Sequence, residues 1–274
     1  TAFLSAKKFA LAYQDGEKIV ATSIDTLKQI SFGGATDPAI SPDGNKLAYT
    51  VSDTAGHRTI WVADLDNKTQ AQLPVDNNNY YGAVWSPSGQ AIAFNLYTKE
   101  NRWKIAVIKA DFTGFQILDS GTEMNVFSPS WKNENELIAH DLTNLYTFNN
   151  TGKLIDTKSL AALIGKDLDI SSSNHFFYTS DGKKLVFNAG NSDVVENGVG
   201  PNEAVYVMDL ATKKIDRISP EGFDVPYVFL TADDRIFYSA SKTPGGLPKI
   251  YAADLTGKIK MIVDKGMQPT GTLK

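Results

Sequence analysis

A unit of about 45 residues that recurs along the whole chain constrains the fold more than any other feature of this sequence. One copy begins with the turn sequence Ser-Pro-Asp-Gly at 41–44 and continues with apolar segments at 46–49 and 60–65. A second copy keeps the same order from 84 to 111, and three weaker copies follow it. The residues that precede the five turns are spaced 45, 46, 47 and 52 positions apart: Ile40, Trp85, Trp131, Tyr178 and Leu230. A period of about 40 to 50 residues with about four short strands is typical of a β-propeller blade.

The two chain ends together supply one more blade. Residues 9–13, 18–22 and 28–32 have the pattern of a second, third and fourth strand, without an innermost strand before them. Residues 267–273 lie where that innermost strand would begin. The sequence therefore predicts an all-β, single-domain protein over 1–274, with six blades of four antiparallel strands. Pairing of the N- and C-terminal strands would close the ring and remove exposed sheet edges. Residues 160–166 are the one segment with a helical pattern.

Composition excludes several classes of function. The formal net charge is −4, with lysines and acids interspersed, so the chain has no basic stripe for nucleic acid. The absence of cysteine excludes disulfides, thiol nucleophiles and cysteine-ligated zinc. No segment approaches the roughly 18 apolar residues of a membrane span. We expect a monomer without a cofactor.

The repeat resembles that of a known family. Ser-Pro-Asp-Gly at 41–44, Ser-Pro-Ser-Gly at 86–89, Lys-Leu-Ala-Tyr at 46–49 and Ile-Trp-Val-Ala-Asp-Leu at 60–65 are similar to the TolB-type, WD-like propeller repeat. The resemblance implies a six-bladed propeller of the bacterial periplasm, or an otherwise exported protein, that binds partners of the cell envelope. TolB has an α/β domain ahead of its propeller, and we expect this chain to lack it. The same repeats occur in the propellers of prolyl-oligopeptidase-like enzymes and in oligogalacturonate lyases, so the likeness leaves the chemistry open.

In a propeller, the loops on one face gather around the central channel, and that face is the usual binding site. Positions four residues before each turn serine or its equivalent should line the channel: Asp37, Gly82, Ser128, His175 and Tyr227. Neighbouring polar and aromatic residues should lie close by: Tyr80, Tyr81, Asn125, Asp224 and Gln268. Such aromatic, acidic and amide groups can hold a peptide or a sugar by stacking and hydrogen bonds. From this set we predict ligand binding at the channel mouth by Asp37, Tyr80, Tyr81, Asn125, His175, Asp224 and Tyr227.

Two further residues are candidate contacts for a partner. Two other sets of residues, the histidines and the polar residues of one long loop, are possible metal ligands. Trp103 lies where a loop meets a strand, beside Arg102, and we predict that both contact a partner. His57, His140 and His175 fall near loops or the channel, but in different blades, so a metal site stays undecided. The sequence also predicts a long loop over 188–203, whose acidic and amide oxygens match no known calcium loop.

These features favour a binding propeller that is not an enzyme and that recognises a protein, peptide or glycan. The sequence has no Gly-x-Ser-x-Gly elbow and no cysteine for nucleophilic catalysis. The alternative is a carbohydrate-active enzyme, a lyase or a glycoside hydrolase, that works in the central channel. That alternative requires two carboxylates, or a histidine and an acid, within reach of one substrate.

Overall fold

The computed structural model describes residues 10–23, 29–75, 79–118, 121, 123–194, 201–242 and 246–272. Within these residues the chain forms 24 strands and one short helix. The strands in chain order are β1 (Leu11–Asp15), β2 (Lys18–Thr22), β3 (Gln29–Gly33), β4 (Ala35–Ile40), β5 (Lys46–Ser52), β6 (Arg58–Asp64), β7 (Thr69–Gln72), β8 (Tyr80–Trp85), β9 (Ala91–Tyr97), β10 (Trp103–Lys109), β11 (Gln116–Ile117), β12 (Phe127–Asn133), β13 (Glu136–His140), β14 (Asn144–Asn149), β15 (Leu154–Ser159), β16 (Phe176–Tyr178), β17 (Lys184–Val194), β18 (Pro201–Asp209), β19 (Ile215–Arg217), β20 (Asp224–Leu230), β21 (Ile236–Ser241), β22 (Lys249–Ala253), β23 (Ile259–Val263) and β24 (Met267–Gly271).

The strands form six antiparallel sheets of four strands each, which are the blades of a propeller. Blades 1 to 5 follow one another in the chain as β4–β7, β8–β11, β12–β15, β16–β19 and β20–β23. The closing blade has the order β24-β1-β2-β3, so both ends of the chain contribute to it. In this blade Leu11 lies opposite Gly271 and Ala12 lies opposite Thr270. The predicted six-bladed, all-β fold with closure by the two chain ends is confirmed.

The turn after the innermost strand explains why the repeat begins as it does. In blade 1 the Gly44 N–H donates to the Ser41 carbonyl at 2.8 Å, and Gly44 has a φ of 75°, which glycine adopts without strain. The Ser41 hydroxyl accepts from the Lys46 N–H at 2.9 Å. Thr179 and Thr231 make the same contact with the residue five and four positions on, respectively. A hydroxyl at the turn start is therefore part of the turn itself.

Apolar side chains fill the spaces between neighbouring blades. Tyr80 and Phe94 of blade 2 pack in one cluster with Ala39 and Ile60 of blade 1. The Trp85 indole N–H donates to the Ala39 carbonyl at 2.8 Å, which joins the innermost strands of these two blades. Equivalent clusters join the later blades, so each blade is stabilised mainly by its neighbours.

The long loop predicted over 188–203 is wrong in its largest part. β17 continues to Val194 and β18 begins at Pro201, so the two strands extend as a hairpin beyond the blade. Residues 195–200 lie outside the described residues. The helical segment is confirmed as α1 (Leu160–Ile164), where the Ser159 side chain accepts from the Ala162 N–H. In the part of the chain that the structure describes, no helix is long and apolar enough to cross a membrane.

Candidate functional site

The innermost strands of the blades line a central channel that widens into a cavity at each end. At one end lies a cavity of ≈ 370 Å³, which we call the mouth cavity. Each of the six innermost strands, or the residue just before it, contributes to its wall: Asp37, Gly82, Ser128, His175, Tyr227 and Gln268. Its remaining wall includes Arg58, Tyr81, Asn95, Ser172, Ser173 and Ser239. The spacing from the turns thus identified a wall residue in five of the six blades, and Gln268 of the closing blade was named only as a neighbour of these positions.

A backbone kink places several of these residues at the channel wall. Asp37, Gly82, Ser128 and Gln268 have φ values of 51°, 68°, 50° and 49°, in the left-handed region. The strand pairing is irregular at or beside Asp37, Gly82 and Ser128, as in a β-bulge. A bulge redirects the side chain and bends the strand. Left-handed backbone is costly for residues other than glycine, asparagine and aspartate, and its recurrence at one position indicates a constraint of the channel.

Asp37 is the carboxylate in the wall of the mouth cavity. Its Oδ1 accepts a hydrogen bond from Gln268 Nε2 at 3.0 Å, which links blade 1 to the closing blade. Its other oxygen accepts from the Thr36 hydroxyl at 3.3 Å. The carboxylate is therefore held in place from two sides and faces the cavity.

His175 is held as a neutral imidazole. Burial, followed by the nearby His140, lowers its pKa to about 4. The ring stacks on Phe177 with a centroid distance of 6.0 Å, and its edge contacts Tyr227 at 5.3 Å. The backbone N–H of His175 donates to Asn188 Oδ1 at 2.9 Å. The ring therefore occupies a rigid aromatic corner of the cavity and carries no charge near neutral pH.

Two tyrosines complete the aromatic wall. Burial, with the negative charge of Asp37, raises the pKa of Tyr227 far above its usual range. Burial also raises the pKa of Tyr81. The Arg58 guanidinium lies 5.3 Å from the centre of the Tyr81 ring, a cation–π distance. Both hydroxyls stay protonated and can donate or accept hydrogen bonds.

An aromatic patch extends from the mouth cavity across the same face. Trp103 contacts Tyr81 with a centroid distance of 5.3 Å and Tyr97 at 4.8 Å. Asn125 Oδ1 accepts from the backbone N–H of Trp103 at 2.8 Å, so Asn125 positions the patch and does not line the cavity. Arg102 forms an exposed ion pair with Glu123 at 3.1 Å. The predicted partner contact at Trp103 and the predicted cavity residue Tyr81 thus belong to one surface.

The remaining two predicted site residues lie away from the cavity wall. Tyr80 is 1% exposed and packs edge-on against Phe94 at 5.6 Å, inside the core between blades 1 and 2. Asp224 accepts from the backbone N–H of Glu203 at 3.0 Å, so it joins blade 5 to blade 4. Both residues have structural contacts that account for them.

Several residues of the candidate site were not predicted from the sequence. Asn95 and Ser239 reach the cavity from second strands, which the spacing rule for innermost strands does not cover. Glu203 was considered from the sequence only as one of the acidic oxygens of the long predicted loop; in the structure it accepts from Asn188 Nδ2 at 2.8 Å, and burial raises its pKa. Through Asn188 it is connected to His175. A charged residue directly before the apolar run 204–208 was the available signal for Glu203.

The three histidines do not form a metal site. His57 is exposed and pairs with Asp53 at 3.0 Å. His140 is fully buried and its Nε2 contacts the Asn174 carbonyl at 2.9 Å. Among the described residues, no group of three histidine, aspartate or glutamate side chains is arranged to hold a metal ion.

The opposite end of the channel differs in character. A second cavity of ≈ 370 Å³ is lined mainly by apolar and aromatic residues, among them Trp85, Trp131, Phe177 and Phe229. Val84 lines both cavities, so they are the two ends of one channel. The wall of this second cavity also contains charged residues, among them Lys132, Glu134 and Asp234, whereas the mouth cavity is the end that adjoins the aromatic patch at Tyr81.

The comparisons with known proteins agree on the fold. The chain is similar to TolB from Acinetobacter baumannii, with a TM-score of 0.65, 16% identity, and coverage of 98% of this chain and 68% of that one. It is similar to a candidate TolB from Agrobacterium tumefaciens, with a TM-score of 0.65, 11% identity, and coverage of 95% and 91%. It is also similar to an acylaminoacyl peptidase from Pyrococcus horikoshii, with a TM-score of 0.54, 14% identity, and coverage of 95% and 47%.

These likenesses confirm a TolB-like six-bladed propeller fold. No protein-family model matches the chain, and no curated protein matches it. At these identities the solved structures establish the fold alone, and a peptidase is among the proteins that share it.

Proposed function

We propose that this propeller is a binding module without enzymatic activity, and that it recognises a protein, peptide or glycan through the mouth cavity and the adjoining aromatic patch. One observation carries the proposal: Tyr81 lines the cavity and also contacts Trp103 of the patch, so a concave polar site and an apolar anchor surface are continuous. Interfaces typically combine a buried aromatic anchor with polar contacts around it.

The geometry favours binding over catalysis. The described wall of the mouth cavity contains one carboxylate, Asp37, and one imidazole, His175, which is neutral and has stacking partners. Retaining and inverting glycosidases both require a pair of carboxyl groups across the substrate. This wall therefore lacks the carboxylate pair of a glycoside hydrolase. It does contain a histidine and an acid, as a lyase would need, but the His175 ring is fixed by its aromatic neighbours, and the aromatic rings and amides of the wall suit recognition.

We further propose that the protein acts in the bacterial cell envelope, as an exported or periplasmic module, by likeness to the TolB structures. Fractionation of the source cells with an antibody against the propeller tests this location. Recovery of the protein with a cytoplasmic marker would contradict it.

The binding proposal is tested with biotinylated protein screened against a random-peptide library and a glycan array. We expect binders from one of the two collections, and we expect Trp103→Ala to weaken them at least tenfold, since aromatic anchors commonly contribute about 2 kcal/mol or more. Phe115→Ala is the matched control, because Phe115 is 43% exposed and lies in the turn that joins the outer strands β10 and β11 of the same blade. Thermal unfolding checks that both variants are folded. Equal binding by wild type and Trp103→Ala would overturn the proposal, and so would turnover of a polysaccharide that depends on Asp37.

A further inference from the structure

The described wall of the mouth cavity contains buried polar atoms without partners, and most of them are hydrogen-bond acceptors. Four polar side-chain atoms in its wall have no hydrogen-bond partner among the described residues: Asn95 Oδ1, His175 Nδ1, Ser239 Oγ and Gln268 Oε1. Asn95 is 4% exposed and Ser239 is 0% exposed, so bulk water reaches these side chains poorly. Buried polar atoms are nearly always paired, and a group of them around one cavity indicates what a guest must supply.

The roles of two of these atoms, Gln268 Oε1 and His175 Nδ1, follow from the other contacts of their side chains. Gln268 Nε2 donates to the Asp37 carboxylate at 3.0 Å, which only the amide nitrogen can do, so Oε1 is the acceptor that remains. His175 is uncharged at neutral pH, and the ring makes a hydrogen bond with the Ser173 backbone. Because Nδ1 has no partner of its own, it is the nitrogen that offers a lone pair. The Asp37 carboxylate adds a negative charge to this set.

The candidate guests differ in how well they match this wall. A carboxylate or phosphate could pair with Arg58 on this wall, but it brings only acceptors to the four atoms that have no partner among the described residues and would face the Asp37 carboxylate. A sugar hydroxyl brings one donor together with lone pairs of its own. A primary ammonium brings three donors, no acceptor and a positive charge, which suits the Asp37 carboxylate and the aromatic face of Tyr227, whereas the Tyr81 ring already contacts the Arg58 guanidinium.

We propose that the mouth cavity binds a primary ammonium group, presented by a lysine side chain of a peptide segment, through Asp37, Gln268 and Asn95. The proposal rests on the binding function above and names the chemical group that the cavity selects. Arg58, on the same wall, would donate to a backbone carbonyl of the peptide that carries the lysine. This role suits a peptide better than a free amine, because a free amine has no carbonyl to offer.

The test uses four small probes and NMR titration of the whole chain, with the Trp103 indole signal and the backbone amides as readout. The probes are Ac-Gly-Lys-Gly-NH2, its norleucine analogue, its glutamate analogue, and Gly-Gly-Gly-NH2 with a free amino terminus. We expect the lysine probe to bind at least tenfold more tightly than the norleucine probe and the glutamate probe not to bind. Stronger binding of Gly-Gly-Gly-NH2 than of the lysine probe would assign the cavity to a chain amino terminus, and would overturn the lysine assignment.

Asp37→Asn is the decisive variant. Asparagine tolerates the left-handed backbone of this position, so the substitution removes the charge with little strain. We expect it to abolish the preference for lysine over norleucine. Asp167→Asn is the matched control, since Asp167 is exposed in the segment that leads to Ser172. Equal losses of affinity for the lysine probe in the two variants would mean that only the overall charge matters, which would contradict a specific role of Asp37. Equal affinities of the wild type for the lysine and norleucine probes would overturn the proposal without any variant.

These experiments distinguish a failure of the ammonium site from a failure of the proposed binding function. If the library yields binders that need Trp103 but contain no lysine, and Asp37→Asn binds them normally, the ammonium site is wrong and the binding function stands. If neither the library nor the probes bind, both proposals fail.

Discussion

At the scale of single residues, burial decides the role of the histidines. His140 is fully buried at the end of β13, where its Nε2 contacts the Asn174 carbonyl and its Nδ1 lies 3.3 Å from the Leu142 N–H. The N–H of Leu142 must donate to Nδ1, so the proton of the neutral ring is on Nε2 and is donated to Asn174. Both nitrogens are thus used within the fold. A sequence shows three histidines near loops, but it does not show which imidazoles are already occupied.

His140 makes stability depend on pH in a defined direction. Burial lowers its pKa to about 4, compared with 6.5 in the unfolded chain. As the pH falls from 6.5 towards 4, the unfolded chain takes up a proton that the folded protein does not, so stability is lost on acidification. Between pH 7 and pH 5 this loss amounts to about 2 kcal/mol. We expect urea unfolding of His140→Gln to show a smaller loss than the wild type by about that amount.

The control for this prediction is His57→Gln, because the His57 imidazole is exposed, with 60% of its side chain accessible. This variant should keep the acid sensitivity of the wild type. A His140→Gln protein that loses as much stability as the wild type between pH 7 and pH 5 would show that His140 is not a source of the pH dependence.

Neighbouring residues show how far sequence reasoning extends towards the site. Tyr80 and Tyr81 were equivalent candidates, but Tyr80 pairs with Leu96 in the core and Tyr81 faces the cavity. Strand alternation predicts that two adjacent residues face opposite sides. It does not predict which one faces the channel, because the bulge at Gly82 shifts the register by a residue. The position of Asp37, by contrast, follows from its distance to the turn.

At the scale of secondary-structure elements, tertiary pairing overrides local composition. The segment after Phe187 is rich in asparagine and glycine, and its composition predicts a loop. In the structure the Gly190 N–H donates to the Asp169 carbonyl at 2.8 Å, and the Asp169 N–H donates back at 3.1 Å. Gly190 also lies opposite Glu203 in the hairpin. Pairing with Asp169 on one side and with Glu203 on the other keeps this stretch extended. Neither pairing can be read from the sequence of the stretch itself.

The innermost strand of the closing blade has a strict size limit at Gly271. A Cβ at this position would contact the ring of Phe237, which is fully buried, and would lie 3.1 Å from the Ala10 carbonyl. Since neither neighbour has room to move, Gly271→Ala should lower the free energy of unfolding by about 1 to 3 kcal/mol. Chemical denaturation measures this loss.

Gly33→Ala is the matched control in the same blade. Gly33 ends β3 at the outer edge, and a Cβ there meets no described atom within 4 Å. It should leave stability unchanged or slightly raised, because alanine restricts the unfolded chain. Equal stabilities of the two variants would contradict the tight packing of Gly271 on Phe237.

At the scale of the whole molecule, the repeat period determines the architecture while the details of the site stay open. Five copies and one shared blade follow from spacing alone, because a blade cannot bury its faces without neighbours. The composition of the mouth cavity depends on six strands that are far apart in the chain, and on Asn95 and Ser239 from second strands. No local sequence pattern shows that these residues come together in one cavity. This is why the fold was predictable and the full set of cavity residues was not.

The ring is held closed by non-covalent pairing between β24 and β1, and this seam should be where unfolding starts. Gln14 lies opposite Met267 across the seam, and directly opposed residues in antiparallel strands are about 4.5 to 5.5 Å apart at Cα, which suits a disulfide. The chain has no cysteine, so Gln14→Cys with Met267→Cys would form a single defined bridge. We expect the oxidised protein to unfold at least tenfold more slowly in urea than the same protein after reduction, because the seam can no longer open first. The reduced form is its own control, since the two samples differ only in the bridge. Equal unfolding rates of the oxidised and reduced protein would mean that unfolding starts between two other blades. The β24–β1 pairing would then be as stable as the blades whose four strands are continuous in the chain.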